Sequence, residues 1–330
     1  MTSGLTSFRN YDPTASLVAA RASALQSEGT PRGLAPLFWL ARHAPQLGRC
    51  LAGPASQITL AASAVLRAQT RANAALVFGN EASAQRVERY QLGVVRNFFD
   101  FVLDVGDACG KTPDRLNACI DATRGEPEYT DTRARGRGVI LLTAHMGSFE
   151  VGLARLVRME PRVQVVYKHD TVGSFERMRR TLRERLGVRE APIDRGLDTW
   201  ISLRDALQRG EAVVMQGDRA MPGQPSQLVP LLHGHLRVPV GAYKLARMTG
   251  SVVVPVFTVR IAPGRYQIEL FPAIDCSEHR VPAGVADPAA IAFAQVLGSY
   301  IARYPEQWLV LRPAFENPPP AETSDRVTHE

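Results

Sequence analysis

The stretch "GVILLTAHMGSFEVGLARLV", residues 138–157, decides how the rest of the chain is read. Val139 to Thr143 form an uncharged aliphatic and β-branched run, the composition of a strand buried on both faces. His145 follows at its carboxyl end, where open α/β sheets place their ligand crevices. Gly147 allows a sharp turn, Ser148 suits a helix cap, and an apolar helix with Glu150 in its first turn comes next. A carboxylate turned back onto one imidazole nitrogen fixes the tautomer and leaves the other nitrogen as a base. The expectation is therefore an oriented general base, His145 with Glu150, that needs no serine or cysteine nucleophile. Spacing alone gives comparable standing to a plainer reading: a capped helix whose early glutamate is favoured by the helix dipole, beside an incidental histidine.

Outward from this stretch, further apolar runs occur at 163–167, 212–216, 252–259 and 266–271. Helical patterns separate most of them, at 148–158, 174–187, 198–209 and 239–248, and a last one covers 287–303. Strands alternating with helices predict an α/β fold with a mixed, mainly parallel sheet flanked by helices. The last two runs, joined by "RIAPGR", read as a hairpin. Before the sheet, 34–122 reads as a helical segment packed on the catalytic domain, and 123–137 as a polar connection opening an α/β domain over 123–316. Residues 1–33 read as a flexible segment and 317–330, rich in proline and polar residues, as a disordered tail.

The 330 residues carry 45% hydrophobic and 22% charged side chains, an ordinary globular balance. The net charge of +7 is almost all arginine, since lysine occurs only at Lys111, Lys168 and Lys244. Arginine grips phosphate and carboxylate in a planar fork, so an anionic partner fits, as does a plain codon bias. The four cysteines are scattered without metal or redox spacing, which suits a reduced compartment. The stretch 50–66 lacks charge but contains Gly53, Pro54, Ser56 and Gln57, too polar for a spanning helix. Trp39 with Arg42 suits a helix lying at a membrane surface, although a helix packed on the protein body is the reading favoured here.

Several familiar signals fail. "GDACGKT" at 106–112 has one residue too few for a phosphate loop and runs into Pro113. No G-x-S-x-G elbow occurs, and "GRG" at 136–138 precedes a strand instead of following one. His233 and His235 lack a third ligand of matching spacing, so no metal is expected.

The residues around His145 resemble the H-x4-D/E block of the bacterial lipid A late acyltransferases and of their relatives that acylate mannosylated phosphatidylinositol. Three later blocks agree in order: "LQRGEAVVMQGDRAMPG" (207–223), "VPLLHGHLRVPVGAYKLARMTGSVVVPVF" (229–257) and "YPEQWLVLRPAFE" (304–316). The third block has "LLHG" where the family usually has a Phe-Phe-Gly triplet, and the last continues as "VLRPAF". The resemblance implies an acyltransferase on the cytoplasmic face of an inner membrane. His145 would deprotonate an acceptor hydroxyl as it attacks an acyl thioester on acyl carrier protein or CoA, a co-substrate with no cofactor required. Glu150 would orient His145, and the backbone N–H groups around Gly147 and Ser148 would hold the oxyanion. By block position, Asp218, Arg219, Gly234 and Arg237 are substrate-binding candidates, and Arg189 a phosphate contact or else a solvated arginine. The implied partners are the acyl donor, a lipid A type or other lipid acceptor and the membrane surface, with a monomer as default.

Two other classes stay open on these residues. A hydrolase would use the same histidine to activate water on a thioester or lipid ester. An arginine-rich nucleic-acid binder would need basic residues interleaved with exposed aromatics on one face. Here the arginines are dispersed among acids, as in "RMRRTLRERLGVRE", so nucleic acid is not expected.

Overall fold

The computed structural model describes residues 35–168, 173–193, 196–221, 223–276 and 285–314. The segments read from sequence as a flexible N-terminus and a loose tail lie outside the described residues. Helices α1 (Ala35–His43), α2 (Pro45–Ala62), α3 (Ala64–Phe78) and α4 (Ala84–Cys109) come first, then the short α5 (Pro113–Asn117). The α/β part follows: β1 (Ile120–Arg124), α6 (Glu126–Ala134), β2 (Val139–Thr143), α7 (Phe149–Met159), β3 (Val163–Tyr167), α8 (Gly173–Leu186) and β4 (Arg189–Pro192). It continues with α9 (Leu197–Gln208), β5 (Ala212–Gln216), β6 (Ser226–Leu231), β7 (Gly234–Pro239) and α10 (Gly241–Thr249). Strands β8 (Val252–Ala262), β9 (Arg265–Leu270) and β10 (Ile274–Asp275), helix α11 (Pro288–Arg303) and a 3₁₀ turn at Pro305–Gln307 complete it.

The main sheet has eight strands among the described residues, in the order β1-β9-β8-β2-β5-β3-β4, with β10 also on β8. The pairs among β8, β2, β5, β3 and β4 are parallel, whereas β8 with β9 forms the expected antiparallel hairpin. The mixed, mainly parallel sheet and its N-terminal helices are as the sequence pattern implies. Strand β2 is central and its alternation feeds two separate cores. Ile140 and Leu142 join the layer containing α9, α10 and α11. Val139 and Leu141 join the layer containing α5, α6, α7 and α8. All four are at most 1% exposed, each burial stabilising the fold by about 1.5–3 kcal/mol. A third apolar cluster binds α1, α2 and α4 to α8.

Five elements depart from the sequence expectation. The supposed connection at 123–137 contains the whole of α6, and β1 enters the sheet before it. Strand β1 ("IDATR") is a polar edge strand with no apolar run to reveal it. Helix α6 did carry start signals, Pro127 in its first positions and Glu126 and Glu128 in its first turn. Its Tyr129 hydroxyl and Arg133 guanidinium both donate to the buried Glu160 carboxylate. Between α8 and α9, where no element was read from the sequence, lies the edge strand β4. Finally, β6 and β7 form a separate two-stranded hairpin. Its turn has Leu232 at φ +50° in place of a glycine and is tied down by the His233 N–H donating to the Leu76 carbonyl at 3.1 Å.

Candidate functional site

Strands β2 and β5 are adjacent and parallel, with Thr143 opposite Gln216. The Gly217 N–H donates to the Thr143 carbonyl at 2.8 Å, so the ladder runs one residue past the end of β5. Beyond it, at the carboxyl edge of the sheet, His145 and Asp218 meet. The imidazole Nδ1 lies 2.8 Å from Asp218 Oδ1. A carboxylate only accepts, so Nδ1 carries the proton and Nε2 carries the lone pair. Asp218 Oδ2 accepts two further hydrogen bonds at 3.0 Å, from the His145 backbone N–H and from the Trp308 indole Nε1–H. The Asp218 side chain has no exposure, while His145 keeps 23%. Burial alone would push the Asp218 carboxyl up. The hydrogen bond from His145, the attraction to that ring when it is protonated, the Arg219 charge and the Trp308 N–H outweigh burial and hold it below the ordinary aspartate value.

The partner of His145 is thus Asp218, and the contact expected of Glu150 is not the one formed. Glu150 is the second residue of α7 and projects toward α8. Its carboxylate accepts from Arg179 Nε at 2.6 Å and from Arg183 Nη2 at 2.6 Å, with Arg183 Nε at 3.3 Å. Burial again opposes the charge, but the two guanidinium groups overcome it and hold Glu150 down to about 2. Arg183, fully buried, also reaches Glu190 at 3.3 Å and stacks 4.6 Å over the Tyr167 ring. This cluster fixes α7 against α8. The "RMRRTLR" pattern places Arg179 and Arg183 four residues apart on one helical face, a signal that sequence reading did not connect with Glu150.

The turn after His145 is pinned from three sides. The Leu309 N–H donates to the His145 carbonyl at 2.7 Å, and the Gly147 N–H to the Gln307 carbonyl at 2.8 Å. The Ser148 N–H donates to the Thr258 carbonyl at 3.2 Å. These two N–H groups are consumed by carbonyls, so the oxyanion role expected of Gly147 and Ser148 has no free donor there. Ser148 also makes no side-chain cap. Its hydroxyl donates to Asp104 Oδ2 at 2.5 Å, and Arg49 and Arg260 pair with the same buried carboxylate. Gln307 clamps β8 through both ends of its amide, donating to the Arg260 carbonyl at 2.8 Å and accepting from the Arg260 N–H at 2.9 Å. The role of Gln307, Trp308 and Asp104 in holding this turn is not evident from the sequence pattern.

Gly147 sits at φ +54°, and a Cβ there would lie 2.1 Å from the Thr258 carbonyl oxygen. Gly147→Ala is accordingly expected to cost at least about 2 kcal/mol, from backbone strain and overpacking together. Chemical denaturation checks it; a loss below 0.5 kcal/mol would show that the turn relaxes freely.

The other candidates divide. Arg219 stands at the site, its guanidinium Nη2 3.4 Å from His145 Nε2. Arg237 lies on β7, and its carbonyl accepts from the Ala220 N–H at 3.3 Å, which brings that strand beside the Arg219 loop. Gly234 pairs with Leu231 at the hairpin tip, whose His233 docks on α3. Arg189 begins β4 opposite Gln164, near the amino ends of the parallel strands, and is therefore at the far edge of the sheet from His145. A line of rings leads away from the histidine: His145 to Phe149 (6.0 Å), Phe149 to Phe101 (4.8 Å), Phe101 to Phe175 (5.9 Å) and Phe175 to Phe38 on α1 (5.6 Å). Beneath α7, Leu141, Thr143, Phe149, Leu153 and Val214 are among the lining of a cavity of about 40 Å³ that is mostly apolar.

The chain is similar in sequence to several known proteins. The lipid A biosynthesis lauroyltransferase of Escherichia coli K12 is 26% identical over 224 residues, 63% of this chain and 65% of that protein. The phosphatidylinositol mannoside acyltransferase of Mycobacterium tuberculosis H37Rv is 26% identical over 203 residues, 61% of this chain and 62% of that protein. The protein of the same name in Mycolicibacterium smegmatis is 26% identical over 181 residues, 54% and 57% respectively. The matched part is thus less than two thirds of the length of each of these relatives. The family model described as bacterial lipid A biosynthesis acyltransferase matches residues 36–317. That match takes in α1 to α11 together with the histidine turn, Asp218 and the closing Trp308 segment, and so the chain belongs to the bacterial lipid A biosynthesis acyltransferase family.

Proposed function

We propose that the chain is an O-acyltransferase that moves a fatty acyl group from a thioester on acyl carrier protein or CoA to a hydroxyl of a lipid acceptor. The acceptor class we favour is a lipid A type glycolipid at the cytoplasmic side of an inner membrane. The observation that carries the reading is the His145 imidazole, locked by Asp218 through Nδ1 and facing the Arg219 guanidinium with Nε2. Nε2 takes the proton of the acceptor hydroxyl as its oxygen bonds to the thioester carbon. The carbonyl oxygen becomes an oxyanion, and the Arg219 guanidinium is the donor at hand to balance it. As the C–S bond breaks, His145 returns the proton to the departing thiolate. Asp218 stabilises the imidazolium throughout. No acyl-enzyme forms, which agrees with the absence of a serine or cysteine nucleophile motif. Glu150 acts by holding α7 and α8 in place.

The experiment is a transfer assay with acyl carrier protein and CoA thioesters, with and without extracted bacterial lipid in detergent. Lipid-dependent transfer that disappears in His145→Ala is the expected result, and the mass of the product gives the acceptor. Free fatty acid released without lipid, equally dependent on His145, would replace this reading with a thioesterase. Arg219→Met is expected to lower turnover by about 10²–10³-fold, the usual worth of one oxyanion donor, with Arg219→Lys between. Unchanged turnover in Arg219→Met would move the oxyanion site elsewhere.

A further inference from the structure

Asn73 is at odds with its surroundings. It lies inside α3, "AVLRAQTRANAALVF", a run of mostly good helix formers in which asparagine is a poor one. It has no exposed surface, and Ala74, Leu76 and Val77 beside it in the chain are buried too. A polar side chain in such a place is costly unless it is hydrogen-bonded. Its bonds cross to the far end of the fold. Nδ2 donates to the Val310 carbonyl at 2.7 Å and to the Arg312 carbonyl at 2.8 Å. Oδ1 accepts from the Ala314 N–H at 2.9 Å. Two carbonyls on one side and an N–H on the other fix which way the amide points.

Residues 309–314 run as irregular backbone outside any helix or strand. Such a strap has no ladder to satisfy its peptide groups, and Asn73 takes the place of a neighbouring strand. The anchored end is next to the catalytic pair. Val310 directly follows Leu309, whose N–H donates to the His145 carbonyl at 2.7 Å. One residue further back, the Trp308 indole donates to Asp218 at 3.0 Å. The strap is thus stretched between α11 and α3, and its contacts to His145 and Asp218 lie between the two ends. Thr70, three residues earlier on α3, is equally buried but serves another neighbour: its hydroxyl accepts from Gln91 Nε2 of α4 at 2.9 Å.

We propose that Asn73 is a positioning residue for the transfer reaction. By anchoring 310–314 it holds Trp308 on Asp218 and Leu309 on His145, and α3 completes the active site through the strap. This deepens the function proposed above and rests on it for the reaction that is turned over. The test uses Asn73→Leu, which keeps the approximate volume and the helix but removes all three bonds. Its kcat is expected to fall about 10–100-fold, the cost of a slightly misplaced catalytic group, with KM for the acyl thioester changed by no more than about twofold. The Trp308 indole N–H, identified by its loss in Trp308→Phe, reports the strap directly. Its exchange with D2O is expected to quicken by about tenfold or more.

Thr70→Val is the control, since it removes a buried bond to α4 from the same helix and leaves the strap alone. It is expected to lower the melting temperature and to keep both kcat and indole exchange. A merely structural Asn73 would make the two variants alike. Unchanged kcat in Asn73→Leu would overturn the proposal, as would a fall in kcat with the Trp308 indole still protected, or equal losses in Thr70→Val. If Asn73→Leu does not fold, Ala314→Pro removes one bond from the strap side with α3 intact. It is expected to move kcat and indole exchange in the same directions, and no change in either would overturn the proposal. A wild type that turns nothing over counts against the proposed function alone, because indole exchange still decides whether Asn73 holds Trp308 on Asp218.

Discussion

Asp218→Asn is expected to fold and to lose turnover by on the order of 10³–10⁴-fold. The reason is in the donors around the carboxylate. Oδ2 accepts from two N–H groups, the His145 backbone and the Trp308 indole. In an asparagine the amide oxygen must take that place, because an NH₂ there would face two donors. The amide NH₂ is then forced onto His145 Nδ1, which has to become an acceptor. The proton moves to Nε2, and the nitrogen that should receive the acceptor hydroxyl's proton no longer has a lone pair. Volume and most hydrogen bonds are kept, so the melting temperature should change by only a few degrees. Turnover at saturating donor and acceptor, beside a thermal melt, checks it. Activity within tenfold of wild type would mean that another group sets the tautomer.

The second large effect is on stability. Glu150→Gln is expected to destabilise the fold by about 3–5 kcal/mol, because Arg179 and Arg183 would keep their buried charges with the central anion removed. Denaturant unfolding checks it, and a loss under 1 kcal/mol would mean that water or Glu176 and Glu190 compensate. Replacing the cluster as a unit, Glu150→Leu with Arg179→Leu and Arg183→Met, should restore much of the loss. The pH dependence has a definite sign. The folded carboxyl is held at about 2, below its ordinary 4.5. Its contribution is therefore complete above pH 4.5 and drains away as the pH falls toward 2. If Glu150 instead oriented His145, Glu150→Gln would shift the pH profile of turnover and leave unfolding nearly unchanged.

These two residues also mark where sequence reading stops. The strand at 139–143, its neighbours and the position of His145 at a strand end are legible because uncharged runs and helical spacing are local properties. Glu150 is near His145 along the chain, but the first turn of α7 directs it toward α8. Asp218 is 73 residues away, and only the adjacency of β2 and β5 brings it to the imidazole. Strand order is set by packing over the whole sheet, which no single stretch encodes. The polar edge strand β1 and the hairpin β6–β7 escaped for a related reason. One has no apolar run, and the other turns through Leu232 and His233 without the glycine or asparagine that usually announces a tight turn.

The segment from Gln307 to Leu309 binds the His145 turn, clamps β8 and supplies the indole to Asp218. It is also among the last parts of the fold to be synthesised. A nascent chain can complete all the parallel strands and still lack the pieces that hold imidazole and carboxylate in register. Competence should therefore arrive late and abruptly, once residue 309 clears the ribosome, and premature termination anywhere before it should leave a sheet with an idle histidine.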